Sequence, residues 1–167
     1  MRNKGRWLTQ AAVIAALYVA LSYFQNFLVP GSATWMIQFR VSEALCVLAF
    51  FTPAAIWGLT NGCFLFNLQA AGSMPLDLIV GPLATALACG GMYLSRNLRI
   101  KKYPLFGLLL PALSNGALVG AELAWYFGGG FWLNAACVAA GEVAVLLSLG
   151  SLLYITIDKR FRSVFSL

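Results

Sequence analysis

The segment PLFGLLLPALSNGALVGAELA, Pro104 to Ala124, decides the fold class of this chain. It carries one charge, Glu122, and it is long enough to cross the hydrocarbon core of a bilayer as a helix, which takes about 20 residues. The rest of the chain has the same character: 61% of the residues are hydrophobic, 10% are charged and the mean hydropathy is +0.83. These values lie outside the range of soluble domains and predict an integral membrane protein.

Six apolar segments are predicted to be helices, at residues 7–29, 41–52, 54–70, 77–95, 104–124 and 133–157. The runs are continuous and do not alternate in polarity, which argues against a β-barrel. At about 20 residues a helix, 167 residues form about six spans and no large extramembrane domain. We therefore expect one all-α transmembrane domain over 1–167. The second and third runs meet at Thr52 and Pro53, and form either a tight hairpin or a thin, partly re-entrant element.

The basic residues predict the orientation, because cytoplasmic flanks of membrane helices are enriched in lysine and arginine. Ten of the eleven lie in three clusters: Arg2, Lys4 and Arg6; Arg96, Arg99, Lys101 and Lys102; and Lys159, Arg160 and Arg162. An even number of predicted spans separates the clusters. Both termini and the 96–103 connection are therefore expected in the cytoplasm, and the connections at 30–39, 71–76 and 125–132 outside. The clusters border the membrane, so the net charge of +6 does not indicate nucleic-acid binding.

The costly polar residues are expected near the outer half of the bilayer. An intramembrane carboxylate costs about 2.5 kcal/mol or more unless it faces protein, partner or water. Against four such carboxylates the sequence places one intramembrane base, Arg40, which can pair with Glu43 at the i, i+3 spacing of one helix. We expect the group to line an acid-rich pocket open to the outside. Its members are Arg40, Glu43, Asn67, Asp77 and Glu122, with Asn115 and Glu142 nearer mid-depth.

Two features of the outer half have alternative explanations. Asp77 follows Pro75 and also fits a first-turn acid that stabilises a helix N-terminus. The aromatic residues, Trp35 and Trp125 among them, fit either the interfacial aromatic belt of membrane proteins or a stacking lid over a flat ligand. The glycine run at 128–130 would give such a lid mobility.

Ala12, Ala16 and Ala20 form a small-residue stripe on the first predicted helix. Such stripes allow close helix approach in membranes. The spacing alone fits packing within the chain and docking to another membrane subunit equally well.

Several chemistries are absent from the sequence. There is no Walker-type GxxxxGK[ST] segment, no GxSG or HExxH motif, no histidine and no CxxC pair. These absences argue against ATP hydrolysis by this chain, intramembrane proteolysis and a metal site. We expect neither an enzyme nor a cofactor, but a solute-capturing subunit that takes energy from a partner.

Three segments resemble the QueT family: QFRVSEAL at 38–45, FFTPAAIWGLTNGCFLFN at 50–67 and PLDLIVGPLATALA at 75–88. The resemblance implies a substrate-binding (S) component of an energy-coupling factor (ECF) transporter in the bacterial cytoplasmic membrane. It implies six helices, both termini in the cytoplasm, and partners comprising a transmembrane scaffold subunit and two ATPases. It also favours partner docking for the stripe Ala12, Ala16 and Ala20.

The ligand that the resemblance implies is a queuosine precursor, a deazaguanine base such as the aminomethyl form. Its guanine-like edge offers adjacent N–H donors to a carboxylate, and its protonated amine favours a second carboxylate. The predicted ligand residues are Glu43, Asp77 and Glu122 as carboxylates, Asn67 and Asn115 as amides, and Trp125 as a stacking surface, with Arg40 and Glu142 nearby. The alternatives are another vitamin or cationic heterocycle, and a membrane assembly subunit that does not transport.

Overall fold

A computed structural model describes residues 4–30, 39–70, 74–101 and 103–161. The described residues form six helices, with one isolated β-bridge between Ile100 and Tyr103. The helices are α1 (Lys4–Leu28), a 3₁₀ helix (Val41–Phe50), α2 (Ala54–Ala70), α3 (Asp77–Leu94), α4 (Leu105–Phe127) and α5 (Phe131–Phe161). The all-helical prediction is confirmed.

Four of these helices are long and apolar enough to cross a membrane: Lys4–Leu28, Asp77–Leu94, Leu105–Phe127 and Phe131–Phe161. The other two are shorter. Val41–Phe50 has 10 residues and Ala54–Ala70 has 17. At about 2.0 Å per residue the 3₁₀ helix is about 20 Å long, where an α-helix of the same residues would be about 15 Å. The 3₁₀ form therefore makes this segment about 5 Å longer than an α-helix of the same residues would be.

The connection between α4 and α5 is shorter than the sequence predicts. The prediction is a connection at 125–132, but α4 continues to Phe127 and α5 begins at Phe131. The connection is three glycines, 128–130, all with positive φ, a conformation that glycine adopts without steric cost. In addition, α5 is not regular throughout, because Leu146–Gly150 and Ile157–Phe161 are π-helical turns.

Small residues bring neighbouring helices into close contact. A Cβ on Gly62 of α2 would lie 2.8 Å from Cβ of Tyr18 on α1. A Cβ on Gly120 of α4 would lie 2.6 Å from Cα of Ala135 on α5. Helices approach this closely in membranes where a residue lacks a side chain. These contacts fix α1 against α2 and α4 against α5.

Hydrogen bonds define two ends of the bundle. At one, which we call the acidic end, Tyr23 of α1 bonds Gln69 of α2, and the Leu76 N–H donates to the Tyr126 hydroxyl of α4. At the other, the basic end, Thr52 bonds Gln10. A hydrogen bond between Tyr103 and Ser151 lies at that end too. The described residues of all three basic clusters lie at the basic end: Lys4, Arg6, Arg96, Arg99, Lys101, Lys159 and Arg160.

Candidate functional site

Four of the five acidic residues of the chain are buried in the half of the bundle toward the acidic end. Their exposed fractions are 0% for Glu43, 5% for Asp77, 4% for Glu122 and 1% for Glu142. They come from the 3₁₀ helix, α3, α4 and α5. Burying a carboxylate is expensive without compensation, so what surrounds each one matters.

Arg40 lies next to Asp77, with Nη2 3.6 Å from Oδ2, and both side chains are 7% exposed. The predicted pairing of the Arg40 and Glu43 side chains stays a prediction. Arg40 precedes the 3₁₀ helix in an extended conformation, with φ −101° and ψ 93°, and its carbonyl accepts an i, i+3 hydrogen bond from the Glu43 N–H at 2.9 Å. Its guanidinium reaches across to the first residue of α3.

Glu43 has donors within the chain. The Tyr18 hydroxyl donates to Oε1 at 2.6 Å and the Cys46 thiol donates to Oε2 at 3.0 Å. Tyr18 belongs to a polar stripe on α1, with Ser22 and Gln25, that binds the segment 39–43. The Ser22 hydroxyl donates to Ser42 at 2.9 Å.

Gln25 completes this stripe by bonding the backbone on both sides of Arg40. Its Oε1 accepts from the Val41 N–H at 2.7 Å, and its Nε2 donates to the Phe39 carbonyl. A cavity of about 10 Å³ lies between the stripe, Arg40 and Phe66, enough for about one water. α1 therefore determines where Arg40 and Glu43 sit.

Asn67 of α2 is 1% exposed, and its Nδ2 donates to the Asp77 backbone carbonyl at 2.7 Å. Gly81, one turn into α3, makes room for this contact. A Cβ at Gly81 would lie 2.6 Å from Asn67 Nδ2 and 2.9 Å from Asp77 Oδ1. The amide and the carboxylate share this space because residue 81 has no side chain.

Asn115 and Glu142 join α4 to α5 deeper in the bundle. Asn115 Nδ2 donates to Glu142 Oε1 at 2.9 Å, and Asn115 is 2% exposed. Its Oδ1 and the second oxygen of Glu142 have no donor among the described residues.

Glu122 differs from the other carboxylates, since neither of its oxygens has a donor in the part of the chain that the structure describes. Asp77 Oδ1 also has no donor among the described residues. Within this group, Arg40 and Asn67 contact Asp77, and Asn115 contacts Glu142. We call the seven buried residues Arg40, Glu43, Asn67, Asp77, Asn115, Glu122 and Glu142 the acidic cluster.

Trp125 follows Glu122 by three residues on α4 and differs from it in exposure. It is in the last turns of α4, and it is 81% exposed among the described residues. Trp35 lies outside the described residues. Ala12, Ala16 and Ala20 are exposed on α1, whereas Ala11 is buried against α2.

A family model described as QueT transporter matches residues 8–159, which is most of the chain. The chain belongs to the QueT transporter family. Together with the four long apolar helices, this membership indicates a multi-pass membrane protein.

A curated member of the QueT family aligns with part of the chain. It is the queuosine precursor transporter QueT of Lactococcus lactis subsp. cremoris (strain MG1363), 37% identical over 87 residues. The alignment covers 50% of this chain and 47% of the relative, so the chain matches about half of that protein's length. No solved structure matches the chain.

Sequence reasoning missed four residues that shape the acidic cluster of this QueT family chain: Tyr18, Ser22, Gln25 and Gly81. Tyr18 stands in an apolar run, where a tyrosine usually reads as core. Ser22 and Gln25 follow it at intervals of four and three, which places them on one helix face, and this spacing was the available signal.

Proposed function

We propose that this chain is the substrate-capture component of an ECF-type importer and that it binds a queuosine precursor from outside the cell. In this proposal six helices cross the bacterial cytoplasmic membrane, both termini are cytoplasmic, and the chain itself catalyses no reaction. Membership of the QueT transporter family supports the transport role. The printed function of the curated relative supports the class of ligand.

One observation carries the choice of ligand chemistry: four residues of the acidic cluster have buried acceptor oxygens without donors among the described residues. Among the described residues these are both oxygens of Glu122, Oδ1 of Asp77, Oδ1 of Asn115 and Oε2 of Glu142. A buried acceptor without a donor costs about 1–3 kcal/mol, and more when it is charged. A donor-rich, cationic guest would offset that cost, and an aminomethyl-deazaguanine has both properties.

The arrangement suggests separate roles for the carboxylates. Glu122 can accept two parallel N–H bonds from the guanine-like edge, because both of its oxygens are available. Asp77 Oδ1 and Glu142 Oε2 are the candidates for the protonated amine. Glu43 is occupied by Tyr18 and Cys46, so we assign it to holding the segment next to Arg40.

The charge distribution supports the proposed orientation. The described members of the basic clusters lie at the basic end, and positive residues favour the cytoplasmic side. The acidic cluster then opens toward the outside. The two shorter helices are about 20 Å and about 26 Å long. Both are shorter than the hydrocarbon core of roughly 30 Å. In the proposed arrangement the bilayer is therefore thinner beside them, or neighbouring helices separate them from the lipid.

The exposed stripe Ala12, Ala16 and Ala20 supports docking of α1 on a transmembrane scaffold subunit that works with two ATPases. These alanines are not covered by the described residues of the chain. A bulky substitution, Ala16→Trp, should abolish co-purification with the scaffold subunit and leave ligand affinity unchanged. Leu87→Trp is the matched control, because Leu87 of α3 is also exposed, at 56%.

The test of ligand identity is calorimetric titration of the purified chain with 7-aminomethyl-7-deazaguanine, with thiamine and riboflavin as comparison ligands. We expect saturable binding of the deazaguanine and none of the two vitamins. Equal binding of all three, or binding of a vitamin alone, would contradict the proposed substrate. Replacing the aminomethyl group by a neutral cyano group should weaken binding, because the second carboxylate then loses its cation.

A further inference from the structure

A groove of about 670 Å³ runs along α1, between this helix, the 3₁₀ helix and the end of α5. Its floor contains Ile14, Leu48 and Ile157, which are 4%, 5% and 5% exposed. Val13 and Leu17 form its outer rim and are 53% and 47% exposed. The groove is therefore an apolar channel, open to the side of the bundle where the bilayer would be.

The mouth of the groove lies at the basic end. Arg6 lines it, and Lys4, Lys159 and Arg160 are at the same end. Asp158 is the acidic residue of this region, so the positive charges outnumber it. The neutral polar groups at the mouth have partners within the chain: the Thr9 hydroxyl donates to the Gly5 carbonyl at 3.0 Å, and Gln10 accepts from Thr52.

The length of the groove matches one leaflet of a bilayer. From Arg6 to Leu17, α1 rises by about 16 Å, at 1.5 Å per residue. Half of a hydrocarbon core of about 30 Å is about 15 Å. A molecule with its anionic group at Arg6 and its apolar part along the floor would thus reach about the middle of the membrane.

We propose that this groove binds an anionic phospholipid of the leaflet at the basic end, with the phosphate at Arg6 and one acyl chain along Val13, Ile14 and Leu17. Basic pockets between transmembrane helices bind anionic headgroups by this combination of charge and apolar depth. The site is separate from the acidic cluster, because its floor belongs to the half of α1 before Tyr18. It does not depend on which solute the protein carries.

The test uses delipidated full-length protein, titrated with dioleoyl-phosphatidylglycerol or dioleoyl-phosphatidylcholine and followed by native mass spectrometry. The two lipids share acyl chains and differ in headgroup charge. We expect the phosphatidylglycerol to bind more tightly. Arg6→Gln should weaken it about fivefold, the effect of one basic residue near a membrane surface, and leave phosphatidylcholine unchanged. Val13→Trp should reduce binding of both lipids by filling the groove.

Two matched variants separate this site from general attraction to the membrane. Arg99→Gln removes a basic residue of the same end that does not line the groove, and Leu87→Trp adds a ring to a different exposed face. Arg99→Gln should not weaken phosphatidylglycerol binding as Arg6→Gln does. Leu87→Trp should not weaken binding of the two lipids as Val13→Trp does. Equal affinity for the two lipids, equal effects of Arg6→Gln and Arg99→Gln, or retention of lipid by Val13→Trp would overturn the proposal. In the last case, loss of a protein partner from Val13→Trp would assign the groove to that partner instead.

Discussion

The two ends of the bundle differ in where their charged side chains lie. At the basic end, Lys4, Arg99, Lys159 and Arg160 are exposed, and the interior beneath them is an apolar and aromatic cluster that includes Phe50, Met92, Leu108 and Tyr154. Toward the acidic end, four carboxylates and Arg40 are buried inside the chain.

The difference between the two ends is a difference in energetic cost. Exposed charges at a membrane surface cost little and set topology. Buried carboxylates cost several kcal/mol unless they are paired, so a chain optimised for stability alone would replace them by apolar residues. Their presence, with only part of their hydrogen-bonding capacity used among the described residues, is what the proposed binding site would account for. The two ends should therefore respond differently to substitution.

The largest loss of stability is expected at the buried ion pair. Arg40→Leu leaves Asp77 buried without its cation and should lower the free energy of unfolding by about 3–5 kcal/mol. Adding Asp77→Asn should recover much of the loss, because the unpaired charge is then gone. Reversible unfolding of the two single variants and the double variant in mixed micelles measures the coupling. Additive effects would show that the two side chains act independently.

The next largest effect is expected at the glycine that makes room for Asn67 and Asp77. Gly81→Ala places a Cβ against both side chains, and overpacking of this kind costs about 1–3 kcal/mol. Gly90 is on the same helix, and a Cβ there would meet nothing within 4 Å. Gly90→Ala should therefore have no such cost, and unfolding midpoints of the two variants compare them directly. Equal midpoints would mean that the space beside Gly81 is not needed.

A smaller effect is expected from the polar stripe of α1. Tyr18→Phe removes one donor to Glu43, and a hydrogen bond inside a membrane protein contributes about 1 kcal/mol. Tyr23→Phe is the control, since it removes a hydrogen bond from the same helix to Gln69 without touching Glu43. Both variants should lose a similar amount of stability, but only Tyr18→Phe should weaken ligand binding. If both weaken it equally, the stripe has no specific effect on the site.

At the basic end, Arg99→Gln should leave the melting temperature within experimental error of the parent protein. Arg99 is exposed, and its Nε donates to the Arg96 carbonyl within the same turn. Exposed charges away from a network rarely change stability. A clear loss of stability would show that this end also depends on specific charge contacts.

The sequence predicted the helices and the burial of four carboxylates, because both follow from the energetic cost of polar groups in hydrocarbon. Glu43, Asp77, Glu122 and Glu142 could be expected inside since each stands in an apolar run. Their burial agrees with that expectation.

The partners of these residues could not be predicted in the same way. That Arg40 reaches Asp77, and that Tyr18 satisfies Glu43, depends on how three distant segments pack, and no local spacing encodes it. The 3₁₀ form of Val41–Phe50 has the same origin, because its composition fits an α-helix and its packing decides otherwise. The sequence also predicts Trp125 in a connection whereas α4 includes it, because helix ends are the least determined part of an apolar run.

The most direct test of the central claim compares Glu122→Gln with Glu43→Gln, measuring unfolding stability and affinity for 7-aminomethyl-7-deazaguanine on the same samples. Glu122 has no donor among the described residues, so Glu122→Gln should keep or raise stability while weakening the ligand about 10- to 100-fold, the range for a charge-assisted hydrogen bond. Glu43→Gln should instead lower the free energy of unfolding, because Glu43 accepts hydrogen bonds from Tyr18 and Cys46. If Glu122→Gln instead destabilises the protein and leaves the affinity unchanged, Glu122 serves the fold and the buried acidic cluster does not recognise this ligand.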